Sequence, residues 1–144
     1  MKEQLNAGYL AHENTRLPLQ QLVDGLVGNS LPIAMSRNSA VVNEVGRGVI
    51  LRSADYRLIG LVDEILTTVI SNSRKGDIHI TAETKNQQLV LHIEERNNNN
   101  GYALSFSIGT LAQDAAIVGG QIEIRSPQKL VTIISLSLPG KMAA

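Results

Sequence analysis

Cysteine is absent from the 144 residues, and so is tryptophan. The first absence excludes a disulfide framework, a thiolate nucleophile and any cysteine-ligated metal centre, and it suits a reducing compartment. Aromatic side chains are scarce, with one Phe and three Tyr, so the core has to be assembled from Leu, Ile, Val and Ala. An excess of either charge is missing as well, since 13 Lys and Arg balance 13 Asp and Glu. That argues against a surface dominated by nucleic-acid binding, which needs clustered cations. No apolar run approaches the roughly 20 residues that cross a bilayer, and the opening segment does not read as a secretory leader. What remains is a length that suits one domain with its own core. The expectation is a soluble, cytoplasmic domain that contacts neither nucleic acid nor membrane.

Residues 1–16, MKEQLNAGYLAHENTR, are mixed and polar and read as a lead-in. Leu19, Leu22, Val23, Leu26 and Val27 then recur at helical spacing, and Gly28, Asn29 and Pro32 are expected to interrupt or bend that helix. AVVNEV and VILRS read as two short paired strands around Gly46 and Gly48. The strongest helical signal is DYRLIGLVDEILTTVISNS, Asp55 to about Ser73. Leu58, Leu61, Val62, Ile65, Leu66, Val69 and Ile70 form one apolar stripe there, with Asp55 as N-cap and Lys75-Gly76 at the end.

DIHITAET and QQLVLHIEE alternate with period two and make a hairpin over KNQ. After the asparagine run, Leu104, Ile108, Leu111, Ala115 and Val118 step by four and three, which predicts one helix stopped by Gly119-Gly120. QIEIRS and LVTIISLSLP close the chain as a hairpin over PQK. Strands that alternate on one face only imply a mixed, mostly antiparallel sheet with one solvated face. Helices then cover the other face, so the expected class is α+β, a two-layer α/β sandwich. The domain is expected to span residues 17–139, leaving 140–144 as a tail.

Two places could carry chemistry. Leu89, Leu91 and Ile93 share a face, and Glu95 is next in phase. If the strand persists, a carboxylate points into the apolar layer, where an unpaired charge is costly; if it ends at Glu94, Glu95 is a solvated turn residue. On the long helix, Glu64, Thr68 and Asn72 share one polar edge by their spacing of four, and Asn72 stands beside Arg74 and Lys75. An amide oxygen with two cations could hold a metal–phosphate group; a solvated helix end whose cations match the dipole is the plainer reading. His79 and His92 lie on the outward strand faces, where they could stack, without a third ligand for a metal.

The order of these features resembles the ATP-binding domain of sensor histidine kinases, a Bergerat-type ATPase fold, over about residues 17–139. Thr68-Val69-Ile70-Ser71-Asn72-Ser73 stands where that family has N-L-L-x-N-A. The segment LAQDAAIVGGQIEIRSPQKLVTIISLSLP resembles its closing helix, double glycine and two strands. The resemblance implies ATP and Mg²⁺ as cofactors. It puts Asn72 on the asparagine that helps hold Mg²⁺ and phosphate, Thr68 on the other motif asparagine, and Lys75 on the basic residue that follows. It puts Glu95 on the Asp of D-x-G-x-G, which accepts a hydrogen bond from adenine. The glycines of that motif fall on Asn97 and Asn99, where asparagine tolerates positive φ better than other side chains. The second glycine motif is replaced by SFSI, and the mobile lid between the two is missing.

A millimolar site needs only about 4 kcal/mol, and each charge-assisted phosphate contact is worth roughly 1.5–3 kcal/mol. Losing the glycine loop, the lid and one asparagine therefore predicts very weak ATP binding or none. The chain is then expected to act as a degenerate signalling or scaffold module of two-component signal transduction. Its partners would be a signalling protein, the other domains of a sensor kinase, or a second copy of itself. The alternative is an active protein kinase of the same fold, of histidine kinase or anti-sigma-factor serine kinase type. AHENTRLPLQQL has a slight likeness to the phospho-acceptor motif H-E-L-R-T-P-L. Between His12 and Asn72, however, there is no room for a full two-helix hairpin ahead of the domain, so His12 reads as a linker residue.

Overall fold

The computed structural model describes residues 16–52 and 55–140, so His12, most of the lead-in and residues 141–144 of the tail lie outside the described residues. The chain begins with a short strand β1 (Leu17–Pro18) and the helix α1 (Leu19–Ser36). The expected break in α1 does not occur: the helix runs through Gly28, Asn29 and Pro32. Leu26, Ser30 and Ala34 continue the buried face of Leu19 and Val23 past the proline. Packing of that face outweighs the lost N–H of Pro32.

Strands β2 (Ala40–Asn43) and β3 (Ile50–Leu51) follow, and the expected pairing between them is also corrected. β2 lies parallel to the later strand β4, whereas β3 pairs antiparallel with β1. Asn43 explains the parting. Its Nδ2 donates to Gln20 O at 3.0 Å and Asp24 Oδ1 at 2.7 Å, and its Oδ1 accepts from Val45 N at 3.0 Å. The chain is thereby drawn off the sheet toward α1, and Val45 enters the core.

Helix α2 (Tyr56–Ser71) buries the seven apolar residues that the sequence spacing picks out. Asp55 caps it, accepting from Arg57 N at 2.7 Å and pairing with the Arg57 guanidinium at 3.1 Å. The side-chain bond to Arg57, then the backbone bond, holds the Asp55 carboxyl below its ordinary value. A depressed acid stabilises the fold above its unfolded pKa and loses that contribution as pH falls through the folded one. Asp55→Ala is therefore expected to cost about 1 kcal/mol at neutral pH, with the gap to the parent closing below about pH 3–4. Urea melts of both proteins across that range check it.

The rest of the chain is β4 (Asp77–Lys85), β5 (Gln88–Glu95), α3 (Gly101–Gly109), α4 (Ala112–Ile117), β6 (Gln121–Gln128) and β7 (Val131–Leu138). Asn86 and Gln87 both have positive φ, 51° and 63°, as a two-residue hairpin turn with primed geometry requires. The single helix expected after the asparagine run is two helices. Gly109 ends α3, Thr110 Oγ1 donates back to Ser107 O at 2.7 Å, and Leu111 N closes on Ile108 O at 2.9 Å. The final turn sits at Lys129-Leu130 rather than PQK, with Leu130 at φ 68°. Pro127 stays inside β6, next to a register irregularity between Arg125 and Gln128. β6 is an edge strand, where a missing N–H costs little.

The main sheet has the order β2-β4-β5-β7-β6, antiparallel except for β2 with β4. Ile78, Ile80, Leu89, Leu91, Ile93, Ile134, Leu136 and Leu138 face the helices and close the core with α1 and α2. This is the expected two-layer α+β sandwich. The described aromatics, Tyr56, Tyr102 and Phe106, are all more than three-quarters exposed, so the core uses none of them.

Candidate functional site

Strand β5 persists through Glu95, which pairs with Ile78 on one side and Thr132 on the other. Period-two alternation then turns the carboxylate toward the helices, and Glu95 is only 1% exposed. Its Oε1 accepts two backbone bonds, from Asp77 N at 2.8 Å and Asn97 N at 3.0 Å. Its Oε2 is buried without a partner and lies against Gly76, where any Cβ would overlap it.

The asparagine run is tied down by its own side chains. Asn97 Nδ2 donates to Lys75 O at 2.8 Å. Asn98 is buried; its Nδ2 donates to Thr132 Oγ1 at 2.7 Å, its Oδ1 accepts from Asn100 N at 2.9 Å, and its backbone N–H reaches Leu130 O at 2.7 Å. None of Asn97 to Asn100 has positive φ. The expectation that these asparagines replace glycines for backbone freedom is thus corrected: they supply amide groups that fasten the connection. Residues 96–100 alone join β5 to α3.

Asn72 is the C-cap of α2, and its Nδ2 donates to Thr68 O at 2.8 Å. It lines a polar cavity of about 450 Å³ together with Arg37, Ser71, Ser73, Arg74, Asn99 and Asn100. Thr68, Lys75 and Glu95 are not in its lining. Thr68 is half-buried, and Lys75 is exposed at φ 53° with its N–H on Arg37 O at 2.9 Å. Glu64 lines a different groove of about 310 Å³, with Tyr56, Arg57 and Ile117 among its neighbours. Of the four site residues suggested by the sequence, Asn72 alone lines this cavity.

Three residues escape sequence reading here. Ser39 and Ser73 share a hydroxyl–hydroxyl bond of 2.6 Å, Ser73 Oγ donates to Ile70 O at 2.6 Å, and Gly76 N donates to Ser39 Oγ at 3.0 Å. The network brings residues 39, 73 and 76 together above Glu95. The only sequence signal was Gly76 after two cations, which reads equally well as a helix stop.

On the outer sheet face the two histidines do not stack. His79 lies opposite Glu94 and His92 opposite Thr81. His79 holds Glu44 at 3.0 Å and Asp77 at 2.8 Å. His92 bridges Ser135 Oγ at 2.8 Å and Glu83 Oε2 at 2.7 Å, and that bond to His92 lowers the Glu83 pKa. The arrangement has the composition of a nucleophile relay. Ser135 sits in the middle of β7 between β5 and β6, where the ladders engage the backbone N–H groups that an oxyanion would need. It is a cross-strand polar cluster on a solvated face.

Neither a family model nor a curated protein matches the sequence. Solved structures do match the fold. The Acinetobacter baumannii histidine kinase AdeS aligns with a TM-score of 0.71 at 11% identity, over 87% of this chain and 66% of that one. The catalytic domain of histidine kinase ThkA aligns with a TM-score of 0.66 at 15% identity, over 88% of this chain and 96% of that one. A histidine kinase from Burkholderia phymatum STM815 gives 0.67 at 12% identity, over 88% and 71%. The chain thus spans less than two thirds of the AdeS structure and nearly all of the ThkA catalytic domain. At such low identity the likeness is one of fold, and that fold is the histidine kinase catalytic, ATPase-type domain.

Proposed function

We propose that this chain is a histidine-kinase-type ATPase module of two-component signalling whose nucleotide site has closed. It acts by binding a partner rather than by phosphoryl transfer. The observation that carries this reading is Glu95. The position that the resemblance gives to the adenine-reading acid is occupied by a carboxylate that is 1% exposed and already engaged with Asp77 N and Asn97 N. Asn97 and Asn98 bind the chain shut over it, and residues 96–100 leave no length for a lid.

The residues present fit Mg²⁺–ATP poorly. Thr68 offers no amide carbonyl, which leaves Asn72 as the one carboxamide at the two motif asparagine positions. ATP and Mg²⁺ accordingly carry no step in this account. The partner would be a signalling protein or another domain of a sensor kinase, with a homodimer as a further form, in the cytoplasm and away from nucleic acid. No described helix is long and apolar enough to cross a membrane.

Titration calorimetry with Mg-ATP is expected to show no saturable heat up to about 1 mM ligand, the level at which net binding is near 4 kcal/mol. Micromolar binding that is lost in Asn72→Ala or Glu95→Ala would overturn the closed-site reading. Label transferred from radiolabelled ATP to the chain would establish the kinase alternative.

A further inference from the structure

We propose that Asn100–Gly101 is a site of self-modification. There the Gly101 nitrogen attacks the Asn100 side-chain amide and converts the asparagine, through a succinimide, to aspartate and isoaspartate. The proposal is independent of the closed-site reading, since it uses only the connection between β5 and α3. Asn100-Gly101 is the one Asn-Gly pair in the sequence. Glycine matters because a Cβ on the attacking residue would crowd the closing ring.

The four asparagines of the run differ in how they are held, and that difference carries the inference. Ring closure at an asparagine needs its own carboxamide and the N–H of the next residue. At Asn97 both are engaged: its Nδ2 donates to Lys75 O at 2.8 Å, and Asn98 N donates to Leu130 O at 2.7 Å. Asn98 is buried, with Nδ2 on Thr132 Oγ1 at 2.7 Å and Oδ1 accepting from Asn100 N at 2.9 Å. That last bond also occupies the nitrogen that would attack Asn99. Asn100 is held in neither part. It is exposed, and its side chain caps no N–H of α3. Gly101 is the first residue of α3, so its N–H has no acceptor within the helix. Turning the Asn100 carboxamide onto that nitrogen costs the bond from Leu104 N to Asn100 O at 3.0 Å. This bond belongs to the first turn of a helix, where fraying is cheap.

The chemistry needs only water. The bond between Gly101 N and Asn100 Cγ forms, the Cγ–Nδ2 bond breaks, and the amide proton of Gly101 leaves with the side-chain NH2 group as ammonia. Water then adds across either C–N bond of the ring. Opening at Cγ restores the main chain and leaves aspartate. Opening at the Asn100 carbonyl carbon leaves isoaspartate, with the main chain routed through Cγ. Either product adds a carboxylate to the cavity that Asn100 lines with Arg37 and Arg74. Isoaspartate also lengthens, by one methylene, the connection between β5 and α3.

Incubation of the full chain at physiological temperature and mildly alkaline pH, followed by peptide mapping with isoaspartate detection, tests this. Asn100 is expected to convert before Asn97, Asn98 and Asn99, with ammonia released in equal amount. Gly101→Ala should slow the conversion by about tenfold or more, which asks for about 1.4 kcal/mol of added barrier. That variant should fold, since Gly101 does not have positive φ and its Cβ would meet only Asn98 Nδ2 and Thr132 Oγ1, both at 3.9 Å. Asn99→Gln should leave the rate unchanged. First conversion at another asparagine, or an undiminished rate in Gly101→Ala, overturns the site. Absence of conversion in the native chain overturns it too, whether or not urea restores the reaction, since the first turn of α3 would then protect the pair.

Discussion

Glu95→Ala is expected to lower the unfolding free energy by about 2–4 kcal/mol, and Glu95→Gln by less than half as much. The alanine leaves Asp77 N and Asn97 N without the oxygen that both use. An orphaned buried donor costs about 1–3 kcal/mol, and the emptied volume adds a cavity term. Glutamine keeps a carbonyl oxygen where Oε1 stands. It puts an amide nitrogen in the place of Oε2, which already lacks a partner at a position that is 1% exposed. The loss should appear as a shifted urea midpoint with unchanged slope. An alanine variant as stable as the parent would mean that Glu95 holds nothing in place, and the account of the closed connection would lose its anchor.

Most of the architecture was legible because it rests on periodicity. The seven buried residues of α2 follow from the spacing of Leu58 to Ile70, and the β4–β5 hairpin follows from two alternating runs about an asparagine. The misreadings occur where a local rule met a tertiary contact. Pro32 is a strong breaker by itself, but Leu26, Ser30 and Ala34 keep α1 on the core. Residues 40–51 look like a hairpin because two short apolar runs flank glycines. Which partner a strand takes is a long-range matter, and here Asn43 bonds to α1 and parts them. Pro127 could be placed inside a strand only by knowing that β6 is an edge.

The candidate site was legible in one coordinate and not in the others. Parity put Glu95 in phase with Leu89, Leu91 and Ile93, and the structure carries the strand that far. The asparagines were read through their backbone tolerance, but their work is done by their amides, on Lys75 O and Thr132 Oγ1. Such bonds join residues more than 20 positions apart and leave no periodic trace. Arg37 was invisible for the same reason: it reaches the neighbourhood of Asn72 only because α1 and α2 end side by side.

Gly76→Ala should be as damaging as the loss of Glu95, about 2–3 kcal/mol, although it adds one methyl group. A Cβ at residue 76 would overlap Glu95 Oε2 and stand 2.9 Å from Ser73 Cβ. Overpacking of this kind costs about 1–3 kcal/mol. The carboxylate cannot simply swing away, since Oε1 is fixed by two backbone donors. Nor can Gly76 retreat easily while its own N–H is held by Ser39 Oγ at 3.0 Å. The two substitutions are therefore coupled. In the double variant Gly76→Ala/Glu95→Ala the new methyl enters space that the carboxylate has vacated, and only the Ser73 contact remains tight. The summed losses of the single variants should exceed that of the double by about 1 kcal/mol or more, a coupling that residues without contact do not show. Strict additivity in urea melts would mean that Gly76 and Glu95 are not pressed together. The same cycle repeated with Glu95→Gln, which keeps the side-chain volume, should show little coupling and so identifies the clash as steric rather than electrostatic.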